Sequence, residues 1–107
     1  MGTSSTRAGL FDARGRPVRA AQARGKHQLV STPDGGAFLE AEALFEAARS
    51  CLESVQRSAR AAPIVLKAMD CFWQGLLGVD SAGRPTTPVL TWADTRPAAA
   101  ASRLAER

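Results

Sequence analysis

The chain is poor in the residues that most often announce an active site. In 107 residues it has one histidine, two cysteines and no tyrosine. His27 stands without a partner in sequence, so it reads as a structural or exposed residue and not as a metal ligand. Cys51 and Cys71 lie far apart and lack metal-type spacing, so they read as two buried, reduced thiols. No Ser/His/Asp or Cys/His arrangement for nucleophilic catalysis is visible. No apolar run is long enough to span a membrane. Nor does a signal-peptide hydrophobic region open the chain, which makes the cytoplasm the expected location.

What is present suits one small globular domain. Hydrophobic residues make up 45%, which argues against disorder. A chain this short buries a modest share of its surface, so marginal stability without a partner is expected. The formal charge is +4 and the isoelectric point about 10.0. The one basic cluster is Arg7, Arg14, Arg16, Arg19, Arg24 and Lys26, against the single acid Asp12. On alternating strand geometry these side chains fall on both faces, which weakens the case for a nucleic-acid stripe.

Along the chain, residues 6–12 read as a strand, residues 12–17 as a turn and residues 18–23 as the returning strand. Gly15 supplies the unusual dihedral of that turn, and Pro17 opens the next strand where a missing N–H is harmless. The same Asp-x-x-Gly-Arg-Pro punctuation returns at Asp80, Gly83, Arg84 and Pro85. It lies between Leu76-Leu77-Gly78-Val79 and Pro88-Val89-Leu90-Thr91-Trp92, so two hairpins built alike are expected. Residues 31–36 are a loop. A helix over residues 41–59 follows, with Leu44, Ala48, Cys51 and Val55 at helical spacing and Phe45 and Leu52 widening the stripe. Glu40 and Glu42 suit its N-terminal end, Arg57 and Arg60 its C-terminal end. Pro63 ends it, and Ile64-Val65-Leu66 is expected to begin a buried strand. The tail from Pro97 to Arg107 is alanine-rich and helical, with Asp94 or Thr95 as its cap. Together these elements make an α/β domain with a mixed sheet, two hairpins and flanking helices.

Three segments are candidates for chemistry. At residues 2–7, a glycine followed by hydroxyl residues is a plausible phosphate seat, because free amides and hydroxyls donate to phosphate oxygens. Such a loop normally sits between two strands, and here only Met1 precedes Gly2. Either the loop is an ordinary turn or a strand is missing. In the second segment, Trp73 and Gln74 pair a stacking surface with a donor and an acceptor, which suits a polyol; the bland alternative is a buried tryptophan in a connection. The third carries Trp92, Asp94 and Arg96 between a strand and a helix, where ligands gather in α/β sheets; the alternative is plain helix capping.

Taken together, these segments resemble the FGGY carbohydrate kinases. The resemblance is carried by Gly2-Thr3-Ser4-Ser5-Thr6-Arg7-Ala8 leading to Leu10-Phe11-Asp12 and a Gly-Arg-Pro turn. It is carried further by Phe72-Trp73-Gln74-Gly75-Leu76-Leu77-Gly78-Val79-Asp80 leading to Gly83-Arg84-Pro85, and by Thr87-Pro88-Val89-Leu90-Thr91-Trp92-Ala93-Asp94-Thr95-Arg96. The form is nearest to gluconokinase-like or xylulokinase-like branches. It covers nearly all of this chain but only the beginning of the family's longer one.

The resemblance implies a ribonuclease H-like (actin-type ATPase) fold and transfer of the γ-phosphoryl of ATP to a sugar or sugar acid hydroxyl, with Mg2+ bridging phosphates. Thr3, Ser4 and Ser5 would approach the ATP phosphates, with Arg7 nearby. Trp73 and Gln74 would line the sugar pocket, with Trp92, Asp94 and Arg96 beside it. The departures are equally specific. The family's first strand, which ends in a metal-organising Asp, has no counterpart before Gly2, and the general base and second domain lie beyond the equivalent of Arg107. Residues 1–107 are therefore expected to be a partial N-terminal domain, inactive alone, whose missing remainder is one possible partner as a separate chain. Two other classes compete: a non-catalytic sugar-binding or regulatory module, and a basic nucleic-acid-binding module, which the scattered arginines disfavour.

Overall fold

A computed structural model describes residues 1–59 and 63–106. The chain forms two small sheets and two helices. Strands β1 (Ser5–Phe11) and β2 (Pro17–Lys26) pair antiparallel as a hairpin. The expected turn joins them: Gly15 N donates to Asp12 O at 2.9 Å, Asp12 N donates to Arg16 O at 3.0 Å, and Gly15 has φ +74°. The register shifts between Gly9 and Phe11. There Gln22 lies across Gly9 and its Nε2 donates to Leu10 O at 3.2 Å.

The second sheet holds β3 (Val30–Ser31), β4 (Ala37–Leu39) and β5 (Val89–Leu90) in the order β3-β4-β5. All its pairs are antiparallel. Among the described residues there is no mixed sheet, which corrects the expectation of one. Its core is Leu39, Leu44 and Val89, with Met1, Leu29, Ala41 and Phe72 packed against it.

Helix α1 (Ala41–Ser58) lies on the β1–β2 hairpin. Leu44, Cys51 and Val55 are buried as the spacing requires. The helix approaches β2 closely at Gly25, where an added Cβ would stand 3.5 Å from Ala47 Cβ and 3.5 Å from Cys51 Sγ. Phe45 and Leu52 depart from expectation, at 66% and 56% exposed. Two strands about 5 Å apart cover only a narrow stripe of a helix, and these two residues overhang it. Arg57 stands in the last turn as expected, whereas Arg60 lies outside the described residues.

Three further expectations are corrected. Residues 63–70 have no regular structure, and Ile64, Val65 and Leu66 are exposed, because no strand among the described residues pairs with them. The second hairpin keeps its turn but shrinks to Val89–Leu90 plus single bridges, Leu76 to Leu90 and Val79 to Pro85. Cys71 is exposed; only Cys51 is buried.

The tail forms α2 (Ala98–Ala105), with Pro97 and not Asp94 or Thr95 at its N-cap. Those two side chains are engaged elsewhere: Asp94 with Arg96, and Thr95 Oγ1 with Gly35 O at 3.2 Å. Arg107 lies outside the described residues. No residue of α2 is buried, and the radius of gyration is 17.4 Å against about 13 Å for a compact chain of this length. No described helix is long and apolar enough to cross a membrane.

Candidate functional site

The opening segment folds as a turn that feeds β1. Gly2 N donates to Ser5 O at 2.9 Å, and His27 N donates to Ser4 O at 3.3 Å. Ser5 is buried, Thr3 half-buried and Ser4 exposed. Among the described residues, the amides of Thr3 and Ser4 donate to no protein group, and the hydroxyls of Thr3, Ser4 and Ser5 make no hydrogen bond. An added Cβ at Gly2 would meet only Ser5 O, at 3.6 Å, so the fold itself does not demand glycine there. Two free amides and three unengaged hydroxyls beside an unencumbered glycine can serve an anion. Arg7 makes no side-chain hydrogen bond or ion pair among the described residues: it lies mid-strand in β1, opposite Arg24, and is exposed.

Trp73 and Gln74 form a turn just after Phe72, which packs on the core. Trp73 is 84% exposed, so the buried-tryptophan alternative does not hold. Gln74 has φ 59°, a left-handed conformation that costs a side chain roughly 1–2 kcal/mol. Strained residues of this kind cluster at ligand sites.

The third segment is anchored to β4. Thr91 N and Thr91 Oγ1 both donate to Ala37 O, at 3.1 and 2.9 Å. That anchor leaves Trp92 65% exposed and brings Asp94 against Arg96, whose Nε lies 3.0 Å from Asp94 Oδ1. The Asp94 side chain is only 4% exposed. The Arg96 guanidinium, above all, holds the Asp94 carboxyl down at about 2 against the opposing effect of burial, with the Arg96 and Ala37 amides adding.

Sequence reasoning missed the neighbour of this pair. The loop before β4 turns at Thr32, Asp34, Gly35 and Gly36 and packs on Thr95 and Arg96: a Cβ at Gly36 would stand 3.0 Å from Arg96 Cζ. Asp34 is held below its ordinary value by the Thr32 hydroxyl first and the Gly36 amide second, with the Arg96 charge contributing. Arg96 is thus paired with Asp94 and also feels the charge of Asp34. The only advance signal was the glycine pair itself.

The second and third segments meet at the small sheet, and the chain just before the first reaches it through Met1. The Met1 ammonium donates to Asp70 O at 2.6 Å, and Met1 packs on the same core as Phe72. Leu76 N and Leu90 N exchange hydrogen bonds with the opposite carbonyls, at 3.0 and 2.9 Å, tying the second segment to the third. Of the candidate residues, only Asp94 and Arg96 are joined by side-chain hydrogen bonds among the described residues; none joins Thr3, Ser4, Ser5 or Arg7 to Trp73, Gln74, Trp92, Asp94 or Arg96.

The chain has the fold of a carbohydrate-kinase N-terminal domain. Solved structures that it matches include sugar kinases. Gluconate kinase from Lactobacillus acidophilus matches 99% of this chain with a TM-score of 0.87 and 23% identity. A xylulose kinase from Brucella ovis matches 97% with a TM-score of 0.88 and 24% identity. Xylulose kinase from Rhodospirillum rubrum matches 99% with a TM-score of 0.87 and 20% identity. The chain spans 21%, 22% and 22% of those three chains, respectively. No family model and no curated protein matches it.

Proposed function

We propose that this chain forms the phosphate-facing turn and the sugar-facing side of an ATP-dependent carbohydrate kinase of the FGGY type, within a ribonuclease H-like architecture. The observation that carries the reading is the pair of free amides at Thr3 and Ser4, beside unengaged hydroxyls, on a fold matched by kinases named for gluconate and xylulose. The substrate is a sugar or sugar acid. Trp73 and Trp92 offer flat faces for its ring edges, and Gln74 offers donors and an acceptor. Asp94, kept ionised by Arg96, accepts from hydroxyl groups.

These residues bind and orient. Residues 2–5 hold phosphate oxygens through amides and hydroxyls, with Arg7 as a nearby positive charge. Phosphoryl transfer depends mainly on such positioning and charge stabilisation. Mg2+ accompanies transfer of this kind, but no group of three His, Cys, Asp or Glu among the described residues could hold a metal, so no step is assigned to it. In this reading residues 1–107 are a partial N-terminal domain, and the general base and the adenosine side come from the rest of a kinase. The chain alone binds without turning over.

Tryptophan fluorescence tests this. Gluconate or xylulose should perturb the emission of Trp73 and Trp92, and ADP should shift the amide resonances of Thr3 and Ser4. A chain that ignores both sugars and ADP at millimolar concentration would remove the reading. Sugar binding with no nucleotide response would favour a non-catalytic sugar module.

A further inference from the structure

His27 does something that neither hairpin requires. Its backbone N–H extends the β1–β2 pairing to Ser4, and its ring reaches back past that point, placing Nε2 2.7 Å from Gly2 O. A carbonyl only accepts, so the proton sits on Nε2. Nδ1 is buried and has no hydrogen-bond partner among the described residues. Nε2 is thus the ring nitrogen that engages the turn, and Nδ1 takes no part in the contact.

Gly2 is therefore held by two hydrogen bonds of its own, and the residue before it by a third. Its N–H donates to Ser5 O at 2.9 Å, its carbonyl accepts from His27, and the ammonium of Met1 donates to Asp70 O at 2.6 Å. Thr3 and Ser4 lie just inside these anchors with their amides unspent.

We propose that His27 is a positioning residue that pins the Gly2 carbonyl and so keeps the turn at residues 2–5 in the conformation that leaves the Thr3 and Ser4 amides free for an anion. The pin stands on hydrogen-bond geometry. Its use for nucleotide phosphate rests on the proposed function. An unpinned turn would populate its binding-competent form only part of the time, and affinity would fall by that fraction.

Nitrogen-15 NMR of the chain tests the pin without any nucleotide. The expected result is a protonated Nε2 in His27, with Thr3 and Ser4 amides ordered on the fast timescale. His27→Ala should release those two amides while Ala8 and Ala23, in the ladder, keep their resonances. His27→Gln, whose amide nitrogen reaches about as far as Nε2, should restore order; His27→Asn, which reaches only to the Nδ1 position, should not. An unprotonated Nε2 overturns the proposal, and so does equal order in all four proteins. Should His27→Ala fail to fold, the wild-type tautomer and the Gln/Asn contrast decide it. ADP titration then separates the two readings. An affinity about fivefold weaker in His27→Ala supports the pin as a phosphate-site device, and an unchanged affinity overturns that role. No ADP binding by wild type, with the tautomer as expected, sinks the kinase reading and leaves the pin.

Discussion

The turn at residues 12–17 and the turn at residues 80–85 share a sequence pattern and share their hydrogen bonds, yet they join very different structures. Asp12 Oδ1 accepts from Arg14 N at 2.8 Å and Arg16 N at 2.9 Å; Asp80 Oδ1 accepts from Ala82 N and Arg84 N, both at 2.9 Å. Gly15 and Gly83 have φ of 74° and 77°. The first turn connects strands of 7 and 10 residues under α1. Beside the second, pairing stops at isolated bridges, and Leu76, Leu77 and Val79 stay exposed. Six residues suffice to set a turn, whereas the length of the ladder beyond it depends on what covers the apolar faces.

That contrast can be broken at the core of the small sheet. Leu39→Ala should cost about 2–5 kcal/mol in urea unfolding, since Leu39 is fully buried among Leu44 and Val89. Amide exchange at Leu76 and Leu90 should accelerate more than at Ala8 and Ala23. Equal acceleration would mean that the two regions open as one unit.

The glycines give a smaller effect. Gly15→Val should cost about 1–2 kcal/mol, because a branched side chain is forced into the left-handed region. Gly83→Val should cost less, because residues 79–86 can open without uncovering packed surface. Equal losses in urea would contradict the difference drawn between the turns.

A gain is expected at Gln74. Gln74→Gly removes the left-handed strain and should raise stability by about 1 kcal/mol or less, while weakening any tryptophan fluorescence response to sugar. A loss of stability would show that the Gln74 side chain holds the turn.

The last prediction separates the two kinds of carboxylate bond. Asp94 should titrate by carboxyl carbon-13 NMR at about 2, and Asp80 below 3.8. Both are depressed in the folded chain, so the stability they contribute is complete above the ordinary carboxylate value and is lost as pH falls through the folded one. Arg96→Gln should return Asp94 most of the way, because the guanidinium is its main cause. Arg84→Gln should move Asp80 only part of the way, since the Arg84 backbone amide, its largest cause, remains.

Much of the fold was legible because it is local. The β1–β2 hairpin, its turn and the buried stripe of α1 follow from glycine placement, alternation and helical spacing. A third turn of the same backbone form was legible as a loop but not in its kinship to the other two: Thr32 N donates to Gly36 O at 2.9 Å and Gly35 N to Thr32 O at 3.0 Å, with threonine where the other two have aspartate. Ile64-Val65-Leu66 has strand composition, but composition does not supply a pairing partner. Phe45 and Leu52 sit on the right face of a helix laid over too narrow a sheet. At the candidate site, the residue types of residues 2–5 were readable, while the pin from His27 was not, because His27 lies 25 positions along the chain from Gly2.

Residue order alone settles the three glycine turns, the hairpin and the amphipathic helix here, since each is decided by dihedral freedom and periodicity within a short stretch. Packing in space settles the rest. It exposes the tryptophans, turns Asp94 from a helix cap into the partner of Arg96, and brings a solitary histidine onto the Gly2 carbonyl, because those contacts join residues that only a folded chain makes neighbours.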